Sequence, residues 1–136
     1  MIAFLTSSPA VGQDHTHLNP ANGLVSELEK VLPRPARGLF VCSDPDDFAF
    51  TDRFAGEMFA AFENAGFPVP LRSVLDHRNP EMAAELVKAA DLIILAGGPT
   101  LAQNRFFQEV HLREAMAGFG GVVLGISAGT MNSAET

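Results

Sequence analysis

Short unbroken apolar runs alternate along this chain with amphipathic stretches, and that alternation limits the fold more than any other feature. The runs are Ile2-Ala3-Phe4-Leu5, Leu39-Phe40-Val41-Cys42, Val69 to Leu75, Leu92-Ile93-Ile94-Leu95 and Val122-Val123-Leu124. A strand with no polar alternation is covered on both faces, which is the mark of a mostly parallel sheet between two helical layers. The expected fold is therefore an α/β sandwich, with residues 1–136 forming one domain. Pro70 removes a ladder donor from the third run and makes it a candidate edge strand.

The intervening stretches read as helices. Asn22 is a candidate cap for a helix reaching about Leu32, with Leu24, Val25, Leu28, Val31 and Leu32 on one face; Pro33 and Pro35 end it. A second helix is expected from about Thr51, with Phe54, Met58, Phe59 and Phe62 at helical spacing and Gly66 as a left-handed stop. Asn79-Pro80-Glu81 reads as a capped helix start with proline at the first helical position. A fourth helix is expected from about Ala102 to Ala117, ended by Gly118. Ser7 to Ala21 is a polar loop, long enough to point to function.

Composition removes several classes of function. The formal net charge is −7, from 9 Lys and Arg against 16 Asp and Glu, and no basic stripe occurs, so neither nucleic acid nor an anionic membrane is an expected partner. No apolar run approaches a membrane span, and Met1 to Leu5 lacks the basic flank of a signal peptide. A single cysteine, Cys42, allows no intrachain disulfide and fits a reducing cytoplasm. Nothing in the pattern calls for a cofactor or a metal.

In a sheet of this kind a ligand crevice opens at the carboxyl ends of the strands. Two turns there carry unusual chemistry. Gly97-Gly98-Pro99-Thr100 follows the fourth strand, and Gly125-Ile126-Ser127-Ala128-Gly129 follows the fifth. The second has the strand, sharp serine turn and helix start of a nucleophile elbow. A serine hydroxyl also needs N–H donors aimed at the oxyanion formed when it attacks a carbonyl. The N–H of Ala128 is the natural first donor and Gly98 the candidate second; Pro99 has no N–H to give. The competing reading is a tight turn whose serine merely caps a helix.

Other polar residues have plainer readings. His15 and His17 lie in the long loop without a third metal ligand. His77 reads as part of a surface turn, His111 as a mid-helix residue, and Asp44, Asp46 and Asp47 as a capped turn. Cys42 reads as a small buried hydrophobe. Gln103 and Asn104 either hydrogen-bond a substrate or serve as polar first-turn residues, and the sequence favours neither.

These motifs carry a resemblance. The stretch from Asp91 through the glycine turn, Gln103 to Phe107, Leu112-Arg113-Glu114 and Gly125 to Ala134 resembles the dipeptidase E and cyanophycinase family of serine peptidases. The likeness is to its bacterial branch, often described as class I glutamine amidotransferase-like. Leu5 to Pro9, Asn22-Gly23 and Ser43 to Asp47 fit the same branch. The resemblance implies a flavodoxin-like three-layer sandwich, a Ser-His-Glu (or Asp) triad and cleavage of peptide bonds next to aspartate. It makes Ser127 the nucleophile and the backbone of Gly98 and Ala128 the oxyanion hole. Glutamine amidotransferases carry cysteine at the elbow, so serine favours hydrolysis over amide transfer. Pro99 departs from the small or polar residue that many members carry there.

The family's histidine and acid lie well beyond the elbow, and no histidine follows Ser127 here. The chain is therefore expected to be the amino-terminal part of a longer hydrolase domain acting on small peptides, with the carboxyl-terminal strands absent. The alternative is an inactive truncated product that serves as a binding or interaction module. Its fifth strand would then expose an edge open to a second copy. A third reading uses His15 or His17 as the base.

Overall fold

A computed structural model describes residues 2–6, 10–11, 17–18, 24–96 and 100–126. In chain order, β1 (Ile2–Thr6) is followed by β2 (Ala10–Val11), β3 (His17–Leu18), α1 (Leu24–Val31), β4 (Arg37–Val41) and α2 (Phe48–Asn64). Next come β5 (Leu71–Leu75), a 3-10 turn (Pro80–Met82), α3 (Ala83–Ala89), β6 (Leu92–Leu95), α4 (Thr100–Glu109), α5 (Leu112–Met116) and β7 (Val122–Ile126).

The main sheet has five strands in the order β1-β7-β6-β4-β5, and every pairing is parallel. Side chains alternate between two cores, as a period of two requires. Phe40, Leu92, Ile94, Val122, Leu124 and Ile126 face Leu28 of α1, Leu32 just beyond it, and Met58, Phe59 and Phe62 of α2. Leu39, Val41, Ile93, Leu95 and Val123 face Ala83 and Val87 of α3, Phe106 of α4 and Leu112 of α5. The result is the expected α/β three-layer sandwich with a flavodoxin-like sheet. β5 lies at an edge, as expected, although Pro70 precedes its first residue rather than lying within it.

Local signals set the ends of α2. The Asp47 carboxylate accepts from the Phe50 N–H at 3.2 Å, so the helix begins at Phe48 rather than near Thr51. Gly66, at φ +94°, ends it as expected. The Gly66 N–H donates to Glu63 and the Phe67 N–H to Phe62, and the Phe62 and Phe67 rings pack 6.3 Å apart.

Four expectations need correction. The stretch expected as one helix over 102–117 is two, because His111 adopts a left-handed φ of +54° between α4 and α5. That turn redirects the chain and lets Leu112 bury in the second core. Asn79 precedes a helical start with Pro80 first, as expected, but the start is a 3-10 turn and the Asn79 side chain makes no capping bond. That side chain accepts from the Asp76 N–H at 3.1 Å and donates to the Val74 carbonyl at 2.8 Å, so it closes the end of β5, and α3 starts only after the 3-10 turn. The long polar loop contains a short antiparallel ladder, with Ala10 opposite Leu18 and Val11 opposite His17. Finally, β7 has no open edge, because β1 pairs along one side and β6 along the other. Asn22 lies outside the described residues.

Candidate functional site

The strand order defines where a ligand crevice lies. After β4 the chain crosses to β5 on one side, then returns to β6 on the other. Loops leaving the carboxyl ends of β4 and β6 therefore diverge, which is the switch point at which open α/β sheets bind ligands. Register extends this edge to β7, since Leu95 lies opposite Gly125. The glycine turn and the serine turn thus follow neighbouring parallel strands, whose axes are about 4.8 Å apart. Gly98, Ser127 and Ala128 themselves lie outside the described residues.

Gln103 stands at the centre of the described edge. It is fully buried, and its amide nitrogen donates to the Cys42 carbonyl at 3.2 Å and also to the Ala96 carbonyl. Those carbonyls sit just past the last strand residues of β4 and β6, where ladder bonding runs out. The final backbone bonds there are Ala96 N–H to Val41 and Cys42 N–H to Leu75. The glutamine is a first-turn residue of α4, buried rather than at the surface. It straps two strand ends together.

Cys42 is buried as expected. Burial pushes its thiol pKa up, and the Asp76 charge adds to the rise, so the thiolate needed for nucleophilic chemistry does not form.

The β4–β5 half of the edge holds two charged clusters. Buried Asp76 accepts from Arg78 at 2.8 Å, and the same guanidinium pairs with Asp52 at 2.6 Å while lying 4.8 Å over the Phe48 ring. The hydrogen bond from Arg78 lowers the Asp52 pKa, and the paired carboxylates keep Arg78 charged. In the second cluster His77 lies between two carboxylates. Nδ1 is 2.7 Å from Asp46 and Nε2 is 3.0 Å from Glu109, with the ring edge-on to Phe106. The hydrogen bond with Asp46 raises the His77 pKa and Glu109 adds to it, against a lowering by desolvation. An imidazole satisfies two carboxylates at once only when both nitrogens carry protons.

The acidic turn has structural duties, as expected. Asp47 caps α2, and Asp44 accepts from the Asp46 N–H at 3.1 Å. His77 is more than a surface turn residue, and its link to Glu109 spans 32 positions of sequence, beyond any local signal. The tight turn at Asp76 was open to sequence reading, because an aspartate two residues before Arg78 can accept that residue's N–H, here at 2.9 Å.

His77 lies on the far side of the sheet from β7. It follows β5, which is three strand spacings from β7, or about 14 Å. His111 is exposed at the break between α4 and α5. His17 lies in β3, and His15 is outside the described residues. Among the described residues no group of His, Cys, Asp or Glu side chains is arranged to hold a metal ion, and no helix is long and apolar enough to cross a membrane. No protein-family model matches this chain, and a search of curated proteins found no match.

Proposed function

We propose that this chain carries the nucleophile half of a serine hydrolase of the dipeptidase E type, acting on small peptides, aspartyl peptides among them. The observation that supports this reading most is the parallel pairing of β6 with β7 in the Leu95–Gly125 register. It sets side by side the two strands after which Gly97-Gly98 and Ser127 follow in sequence, and acyl transfer needs such groups close together. In this reaction the Ser127 hydroxyl oxygen attacks the scissile carbonyl carbon as its proton passes to a base. The resulting oxyanion is held by the N–H groups of Gly98 and Ala128. The C–N bond then breaks, the amine leaves with the proton, and water releases the acid from the acyl-serine by the reverse steps.

The base and its acid belong, on the resemblance, to positions beyond the elbow; His77 and His111 do not meet the need. A cytoplasmic location goes with this reading, through the lone buried Cys42.

The test is hydrolysis of Asp-X dipeptides, together with labelling by a fluorophosphonate, using the product of the natural gene. We expect both at Ser127. Ser127→Ala should abolish labelling and lower kcat by about 10⁴-fold or more. Hydrolysis that survives Ser127→Ala would refute the assignment.

A further inference from the structure

We propose that the turn carrying His77 is a proton-operated latch on the carboxyl end of α4: with both ring nitrogens protonated it holds Asp46 and Glu109 together, and loss of the Nε2 proton releases Glu109. The latch does not depend on the hydrolase reading above.

One side of the latch is fixed. The Asp76 N–H donates to the Asn79 side chain at 3.1 Å, the Arg78 N–H to the Asp76 carboxylate at 2.9 Å and the Asn79 N–H to the Asp76 carbonyl at 3.2 Å. The His77 N–H donates to the Pro45 carbonyl at 3.1 Å, next to Asp46. His77 and the loop before α2 are therefore tied through the backbone, whatever the state of the ring. The other side is a helix end. α4 stops at Glu109, and His111 turns the chain at φ +54°. Phe106 is anchored in the second core, with the His77 ring edge-on to it at 5.1 Å. Beyond Phe106, the last turn is closed by the Val110 N–H to Phe106 at 3.0 Å and the His111 N–H to Gln108 at 3.2 Å.

Nδ1 lies 2.7 Å from Asp46 and Nε2 lies 3.0 Å from Glu109. A neutral ring keeps one proton, so one carboxylate must then face a bare lone pair. The proton stays at Nδ1, where the contact is shorter and the Pro45 bond holds the partner loop, and Glu109 loses its donor. The surroundings offer Glu109 little in exchange. The loop before α2 carries Asp44, Asp46 and Asp47, and the His77 turn carries Asp76 and Arg78, whose guanidinium is already shared between Asp76 and Asp52. Glu109 also lines a groove with Glu81, Glu114 and His111. Arg105, exposed one turn earlier on α4, is a cation within reach of a freed Glu109. The hydrogen bond with Asp46 raises the His77 pKa, and Glu109 adds to it against desolvation. Release therefore comes as pH rises through the raised value, not on acidification.

The experiment follows the product of the natural gene by NMR from about pH 6 to 8.5. It reads the titration of the His77 ring and the exchange protection of the Val110 amide, relative to Ala65 at the end of α2. In wild type, Val110 protection should fall about threefold to fivefold as His77 loses its proton, the size that one partly exposed ion pair carries. In Glu109→Gln the protection should already be low at pH 6 and stay flat, and His77 should titrate at lower pH than in wild type. His77→Gln should also be flat, and serves as the second variant should Glu109→Gln fail to fold. His111→Asn keeps the left-handed turn without its titratable ring and should retain the wild-type pH dependence.

Val110 protection that stays constant through the wild-type His77 titration would overturn the latch. So would a wild-type pH dependence that persists in Glu109→Gln, or one that disappears in His111→Asn. A His77 ring titrating at the same pH with and without Glu109 would show that the two groups do not share a proton-dependent bond.

Discussion

Gly121 precedes β7, and replacing it with alanine tests how tightly that strand is held. A Cβ built there falls 2.5 Å from the Asp91 carbonyl oxygen and 2.6 Å from Cζ of Phe119. The phenyl ring can swing aside. The carbonyl cannot move cheaply, because it accepts the Val122 N–H at 2.9 Å in the first bond joining β7 to the start of β6. Relief requires a shift of about 1 Å toward ordinary contact, which is an overpacking cost of about 1–3 kcal/mol, with about 1 kcal/mol more if the hydrogen bond is lost. The sum, about 2–4 kcal/mol, corresponds to a fall in Tm of roughly 6–15 °C for a chain of this size. Gly56 is the control. It lies inside α2 with nothing within 4 Å of an added Cβ, so Gly56→Ala should raise Tm by about 2–4 °C through reduced backbone freedom in the unfolded chain. Circular dichroism at 222 nm is the assay, since the chain has no Trp or Tyr to report by fluorescence. A Gly121→Ala melting point within about 2 °C of wild type would refute the argument from the Asp91 carbonyl.

Two further predictions concern titration and reactivity. His77 has a pKa raised above 6.5 by its carboxylate partners, so its stabilising effect is complete below about pH 6.5 and is lost as pH rises through the raised value. The difference in Tm between wild type and His77→Gln should shrink over that interval; melting curves that stay parallel from pH 6 to 9 would count against the paired imidazolium. Cys42 should resist a disulfide reagent in the folded protein and react only in denaturant, because burial and the Asp76 charge suppress its thiolate. Rapid native reaction would show that the end of β4 opens.

The layers were legible in the sequence because each central strand is apolar on both faces. Phe40 goes to one core while Leu39 and Val41 go to the other, so no polar residue interrupts the run. The stop at Gly66 was legible for a local reason, its left-handed φ. The strand order was not legible. β1 pairs with β7 across most of the chain, and no local pattern records a partner that distant. The break at His111 was hidden for a related reason. The helical spacing continues through it, and only the demand to bury Leu112 turns the chain. At the edge, the neighbouring positions of the glycine and serine turns follow from adjacent strands. The duty of Gln103 does not, since one of its partners is 61 residues away.

The carboxyl edge divides chemically, and the division bears on where acyl transfer would be run. On the β4–β5 side, Asp76 and Asp52 share Arg78, and Asp46 and Glu109 share His77. These charges neutralise one another at close range, so they project little field toward β7, about 14 Å away across aqueous edge and screening salt. On the β6–β7 side, the described strand ends are apolar and buried, and a neutral amide ties the end of β6 to that of β4. An oxyanion is stabilised most by fixed N–H dipoles in such low-dielectric surroundings. A carboxylate nearby would oppose its formation. Four of the acidic residues, Asp46, Asp52, Asp76 and Glu109, are thus held in latches at the far half of the edge, away from where the proposed reaction would run.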